Sequence, residues 1–151
     1  MRKSIMLIIW LGLFLIQLCG YQVVIGNGSD SSQHLPCDPF YNHSGSQLIY
    51  DSNYFPYSGT ITEISFQYQF LSDNPADFLN NVTLMIGESQ LDSFEDDESY
   101  IDLDELEICF EGNLTENNFQ AINNNGAGWF KVTLDQAYYY SKTGNLILFF
   151  L

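Results

Sequence analysis

An antiparallel, jelly-roll-like β-sandwich is the all-β fold that this sequence predicts, and three observations predict it. Several short runs alternate apolar and polar residues with a period of two, the signature of a strand with one buried face. Clusters of Gly, Asn, Pro and Ser separate those runs. No stretch carries the 3.6-residue apolar period of an amphipathic helix. Hydrophobic residues make up 46% of the 151 and aromatic residues 16%, enough for one core and too much for a disordered acidic tail.

The first element is an address. Arg2 and Lys3 precede an apolar run from Ile5 to Ile16, followed by Gln17-Leu18-Cys19-Gly20. These are the charged start, apolar core and small-residue exit of a secretory signal peptide, so residues 1–20 are expected to be removed on export. The run is shorter than the ~20 apolar residues a membrane span needs. Lipid attachment at Cys19 is disfavoured, because Leu18 stands where a lipobox carries a small residue. The expected product is one β-sandwich domain over 21–151, secreted or at the cell surface, with no transmembrane segment.

Tyr21–Ile25 is a short β-prone run stopped by Gly26-Asn27-Gly28-Ser29, and Gln47–Tyr50 is a second. Pro56-Tyr57-Ser58-Gly59 reads as a turn. The clearest strand is Thr62–Phe70, where Ile64, Phe66, Tyr68 and Phe70 alternate with Glu63, Ser65, Gln67 and Gln69. Ile61 is out of phase, which predicts a strand start or a bulge near Thr62. Val82, Leu84 and Ile86 mark the next strand, and Leu106, Ile108 and Phe110 the one after. Phe130, Val132 and Leu134 follow, and Leu146–Leu151 is continuously apolar, as a strand covered on both faces would be. The chain stops inside that run. The expectation is a sandwich incomplete at its C-terminus, since an exposed apolar edge invites aggregation.

The chain has 4 Lys+Arg against 19 Asp+Glu, a net charge of −15, which falls to −17 once Arg2 and Lys3 leave with the leader. Nucleic-acid binding is excluded as a function class, because phosphate binding needs clustered cations. The catalytic expectation is none: there is no Gly-x-Ser-x-Gly elbow, His-Glu-x-x-His, phosphate loop or Cys-x-x-Cys. His34 and His43 flank Cys37 in a polar stretch and read as surface residues rather than a site.

Three constellations remain. Nine carboxylates lie between Asp92 and Glu107, and Asp92, Glu95, Asp96, Asp97 and Glu98 fall in an inter-strand loop. Calcium takes six to eight oxygens, so these five are candidate ligands. The EF-hand spacing is missing, and a solvated acidic loop is the weightier alternative. Tyr54, Tyr57, Tyr138 and Tyr139 lie in or beside expected loops, where ring faces can stack on the apolar face of a sugar; alternatively they fill the sandwich ends. Cys37 and Cys109 could form one disulfide in an exported chain. Against that, Cys109 shares parity with Glu107 and Glu111, which puts it on the outer face.

The order of segments resembles a β-sandwich module repeated in large secreted proteins of Bacteroidetes-type and Cloacimonetes-type bacteria, often exported by type IX secretion. The matching pieces run from Val23-Val24-Ile25-Gly26-Asn27-Gly28 through Ser46-Gln47-Leu48-Ile49-Tyr50 and Gly59-Thr60-Ile61-Thr62-Glu63-Ile64-Ser65-Phe66. They continue with Leu84-Met85-Ile86-Gly87, Leu103-Asp104-Glu105-Leu106, Phe110-Glu111-Gly112, Gly128-Trp129-Phe130 and Gly144-Asn145-Leu146-Ile147-Leu148. The acidic 95–107 stretch departs from the module, which is shorter and less charged there. The resemblance carries no catalytic residue and implies an extracellular accessory role. The expected function is therefore adhesion, or binding of an extracellular glycan or protein surface. The alternatives are a structural spacer with a calcium-stabilised acidic loop, or the N-terminal accessory domain of a secreted hydrolase.

Overall fold

A computed structural model describes residues 20–27, 36, 43–69, 79–96, 99–121 and 127–151. The leader expected at 1–20 falls outside them but for Gly20. No helix among the described residues is long and apolar enough to cross a membrane.

Seven strands are described: β1 (Ser46–Tyr50), β2 (Gly59–Gln69), β3 (Val82–Ser89), β4 (Glu107–Gly112), β5 (Phe119–Ala121), β6 (Ala127–Tyr140) and β7 (Asn145–Phe150). They form two antiparallel sheets, ordered β1-β7-β3-β4 and β2-β6-β5. The sheets pack face to face, as in a sandwich. Phe150 of β7 meets Phe66 of β2 and Phe130 of β6 across the interlayer at 6.0 and 6.1 Å between ring centroids. Leu84, Ile86, Val132 and Leu148 fill the core between them.

The period-two readings of β2, β3 and the first half of β6 hold. Val82, Leu84 and Ile86 are buried, as are Phe130, Val132 and Leu134. The break near Thr62 is also present: the β2–β6 register shifts between Ile61 and Glu63. The extra residues lie on β6, because Ile61 opposes Tyr138 while Glu63 opposes Thr133. Tyr21–Ile25 forms no ladder, although Val23 and Ile25 pack against the core.

β7 is covered on both faces. Leu146, Leu148 and Phe150 point into the main core, while Ile147 and Phe149 join Ile101 and Leu106 in a second cluster on the other side. It is an interior strand between β1 and β3, not an uncovered edge.

One parity is inverted. Cys109, expected outside, is buried in the main core, and Ile108, expected inside, is exposed. The cause is a bulge: Leu84 pairs with Phe110 but Met85 pairs with Ile108, so Cys109 is an extra residue on β4. A one-residue insertion reverses the face of the residues beyond it.

Candidate functional site

Strand register brings several connections to one end of the sandwich. Tyr50 at the end of β1 opposes Leu146 at the start of β7, and Ser89 at the end of β3 opposes Asn145. In the other sheet, Gly59 at the start of β2 opposes Tyr140 at the end of β6. The β1–β2 connection (51–58) and the β6–β7 turn (141–144) therefore meet there.

The β1–β2 connection is pinned at several points. Asp51 caps a 3-10 turn over Ser52–Tyr54, its Oδ1 accepting the Asn53 amide at 2.7 Å and its carbonyl the Tyr54 amide at 3.0 Å. The Ser52 amide donates to Asn145 Oδ1 at 2.9 Å. Phe55 is buried, its ring 4.9 Å from that of Tyr140, and its carbonyl accepts from Lys142 Nζ. Anchoring Phe55 leaves its flanking aromatics outside. Tyr54 is 56% exposed and Tyr57 76%. The exposed Tyr21 meets Tyr57 edge-on at 6.4 Å.

The neighbouring turn is held by a carboxylate. Lys142 takes a left-handed φ of 62°. Glu88 reaches across from β3 to accept from the amides of Ser141 (2.6 Å), Thr143 (2.9 Å) and Gly144 (3.2 Å). Partial burial pushes the Glu88 carboxyl up. The hydrogen bonds from Ser141, Gly144 and Thr143 more than offset that, so it titrates below its ordinary range. Tyr140 closes the turn from below, its hydroxyl donating to the Gly144 carbonyl at 2.8 Å.

The candidate tyrosines therefore divide. Tyr54 and Tyr57 present their rings at this end. Tyr139 is 64% exposed, but on the outer face of β6 opposite Thr60 rather than in a loop. Tyr138 is corrected: it belongs to β6, is buried among the core residues and has no ring face to offer. Burial, then the nearby Glu88 and Glu107 carboxylates, push its hydroxyl up to about 12.

The apolar residues of the acidic segment are docked on the sheet, while its carboxylates Asp92, Glu95, Asp96, Asp102, Asp104 and Glu105 stay exposed to solvent, as the solvated-loop alternative has them. Residues 90–96 and 99–106 lie over the outer face of the β1-β7-β3-β4 sheet, where Ile101 and Leu106 pack on Ile147 and Phe149 beside the half-buried Phe94. Two buried amides staple the segment down. Gln47 on β1 donates from Nε2 to the Ile101 carbonyl and accepts the Ile101 amide on Oε1, both at 2.8 Å. Asn145 donates to the Leu91 carbonyl at 2.9 Å and to Asp92 Oδ1 at 3.0 Å. Gly87 permits the close approach, since a Cβ there would meet Leu106 Cδ2 at 2.5 Å and the Glu105 carbonyl at 3.0 Å.

Of the candidate calcium ligands, Asp92 is bonded to Asn145, and Asp96 Oδ1 accepts from Ser99 Oγ at 2.7 Å. Glu95 is exposed, and Asp97 and Glu98 lie outside the described residues. No group of three or more His, Cys, Asp or Glu residues is arranged to hold a metal ion among the described residues. Between the docked segment and the sheet lies an open groove of about 530 Å³, floored by Gln47, Ile101 and Phe149 and flanked by Tyr100, Asp102 and Leu103. Sequence reasoning missed Gln47, Tyr100 and Leu103. The available signal was the set of apolar residues, Phe94, Tyr100, Ile101 and Leu103, set among the acids.

Cys109 is a free, buried thiol, and Cys37 lies outside the described residues. Burial, then the Glu107 carboxylate, push the Cys109 thiol up to about 11, partly offset by a backbone hydrogen bond at Ile86. Comparison with protein-family models, with curated proteins and with solved structures returns no match.

Proposed function

We propose that this chain is a secreted, non-catalytic β-sandwich module for adhesion or for binding a polysaccharide or partner surface, with the Tyr54–Tyr57 end as its contact face. One observation carries the reading: two exposed tyrosine rings stand on a connection held by the Asp51 cap, the Asn145 side chain and the buried Phe55. A loop already held in one conformation loses little entropy on binding. Tyrosine offers an apolar ring for stacking and a hydroxyl for the polar rim of a sugar. The charge of −15 repels polyanions, so the ligand class is a neutral or cationic surface.

The test is retention of the full chain on immobilised neutral glycans and cell-wall matrices. Tyr54→Ala with Tyr57→Ala is expected to abolish retention while Tyr139→Ala preserves it. No retention of the parent chain on any matrix would remove the glycan reading.

A further inference from the structure

Among the described residues each sheet has two edge strands, and three of these four are short or carry a bulge of their own. β1 has five residues and β5 three. β4 is broken by the Cys109 bulge, and its Glu111 amide is taken by Asp135 Oδ2 at 3.3 Å. These are ordinary ways of closing an edge against another chain.

β2 lacks most of these protections. It is eleven residues long, roughly 35 Å at the rise of an extended chain. It holds no Pro, Lys or Arg, and its one charge, Glu63, is paired with Lys131 at 3.1 Å. Between Gly59 and Gln67 the only backbone partner among the described residues is β6, on one side. The register break near Thr62 leaves Glu63–Gln67 as a regular, unbroken run. Among the described residues the inner face along this edge is also only partly covered. Ile61, Ile64 and Phe66 reach the core but are only partly buried, whereas Phe130 and Val132 on the adjoining β6 are buried. A further strand with an apolar residue at every second position would cover them.

We infer that the outer edge of β2, over Glu63–Gln67, is a strand-addition site that takes an extended, lysine-bearing segment of a partner protein. Main-chain hydrogen bonds supply affinity in this mode of recognition, and alternate side chains supply selectivity. Charge selects the occupant. The chain carries −15 overall, and its two cations among the described residues are engaged, Lys131 by Glu63 and Lys142 by the Phe55 carbonyl. A second copy brings the same −15 and is repelled, and an acidic strand meets no free cation among the described residues. A basic strand is attracted. This surface is separate from the tyrosine end and does not depend on it.

The test uses the full chain and a fluorescein-labelled peptide alternating Lys and Val over seven residues. Two controls accompany it: the same peptide N-methylated at every backbone amide, and a counterpart with Glu in place of Lys. Anisotropy is expected to show saturable binding, with each control at least tenfold weaker. Hydrogen exchange should slow at amides within 63–67. Equal binding of the methylated peptide would reduce the interaction to charge attraction and overturn the proposal. Protection confined to other segments, or no saturable binding, would also overturn it. A sedimenting dimer with protected β2 amides would replace the basic partner by a second copy.

Discussion

Replacing Gln47 with Leu tests whether the acidic segment is held by a specific clamp or merely rests on the sheet. The two side chains are close in volume, so the substitution removes polarity with little change in packing. It leaves the amide and carbonyl of Ile101 without the partners they meet at 2.8 Å. A buried backbone group left unpaired costs about 1–3 kcal/mol. Water entering from the adjoining groove lowers that figure, and the two groups together cost roughly 3 kcal/mol. For a domain of this size the melting temperature should fall by about 10 °C. Calorimetry measures the fall, and hydrogen exchange at the Ile101 amide shows whether segment 99–106 releases first. A melting temperature within about 2 °C of the parent, with unchanged exchange at Ile101, would refute the clamp.

The same contacts imply further outcomes. Glu88→Gln should lower the melting temperature at neutral pH. The Glu88 carboxyl titrates below its ordinary 4.5 in the folded chain, so its contribution is present above that pH and disappears as pH falls through the folded value. The parent and variant should therefore converge in acid melts. Tyr138 runs the other way: its folded value is raised from 10.0 to about 12, so stability is intact below pH 10 and lost as pH climbs through about 12, measurable by alkaline titration of unfolding. Cys109 should resist iodoacetamide at pH 8 in the folded chain and react once denaturant exposes it, as read by peptide mass mapping. The binding-module reading predicts melting indifferent to calcium. A rise approaching the ~2.7 kcal/mol of a site at a hundredfold excess of ion would favour the spacer instead.

Legibility in the sequence tracks the physics of each element. β3 and the regular part of β2 are legible because each buries one face, and a period of two records that directly. β7 is legible as doubly covered because the sandwich core and the docked segment each claim alternate residues. β4 misleads because its bulge depends on which residue of β3 lies opposite, a tertiary fact. The far half of β6 is obscured because the pairing break interposes Asp135, Gln136 and Ala137 before the tyrosines. The parity of Phe130, Val132 and Leu134 nevertheless continues to Tyr138 and Tyr140, and it already points both inward. The exposure of Tyr54 and Tyr57 is legible from the turn around them. Their anchors, Asn145 and the Phe55–Tyr140 contact, join positions nearly a hundred residues apart and leave no local trace.

A contact face at the tyrosine end must lose its ligand when the two rings are removed. Its most direct test is the dissociation constant of the full chain for the best-retained glycan or surface, beside that of the Tyr54→Ala, Tyr57→Ala double variant, with melting temperatures recorded for both. The double variant is expected to lose at least tenfold in affinity with melting unchanged within about 2 °C, because neither ring is buried. Equal affinity of the two chains would contradict a contact face there.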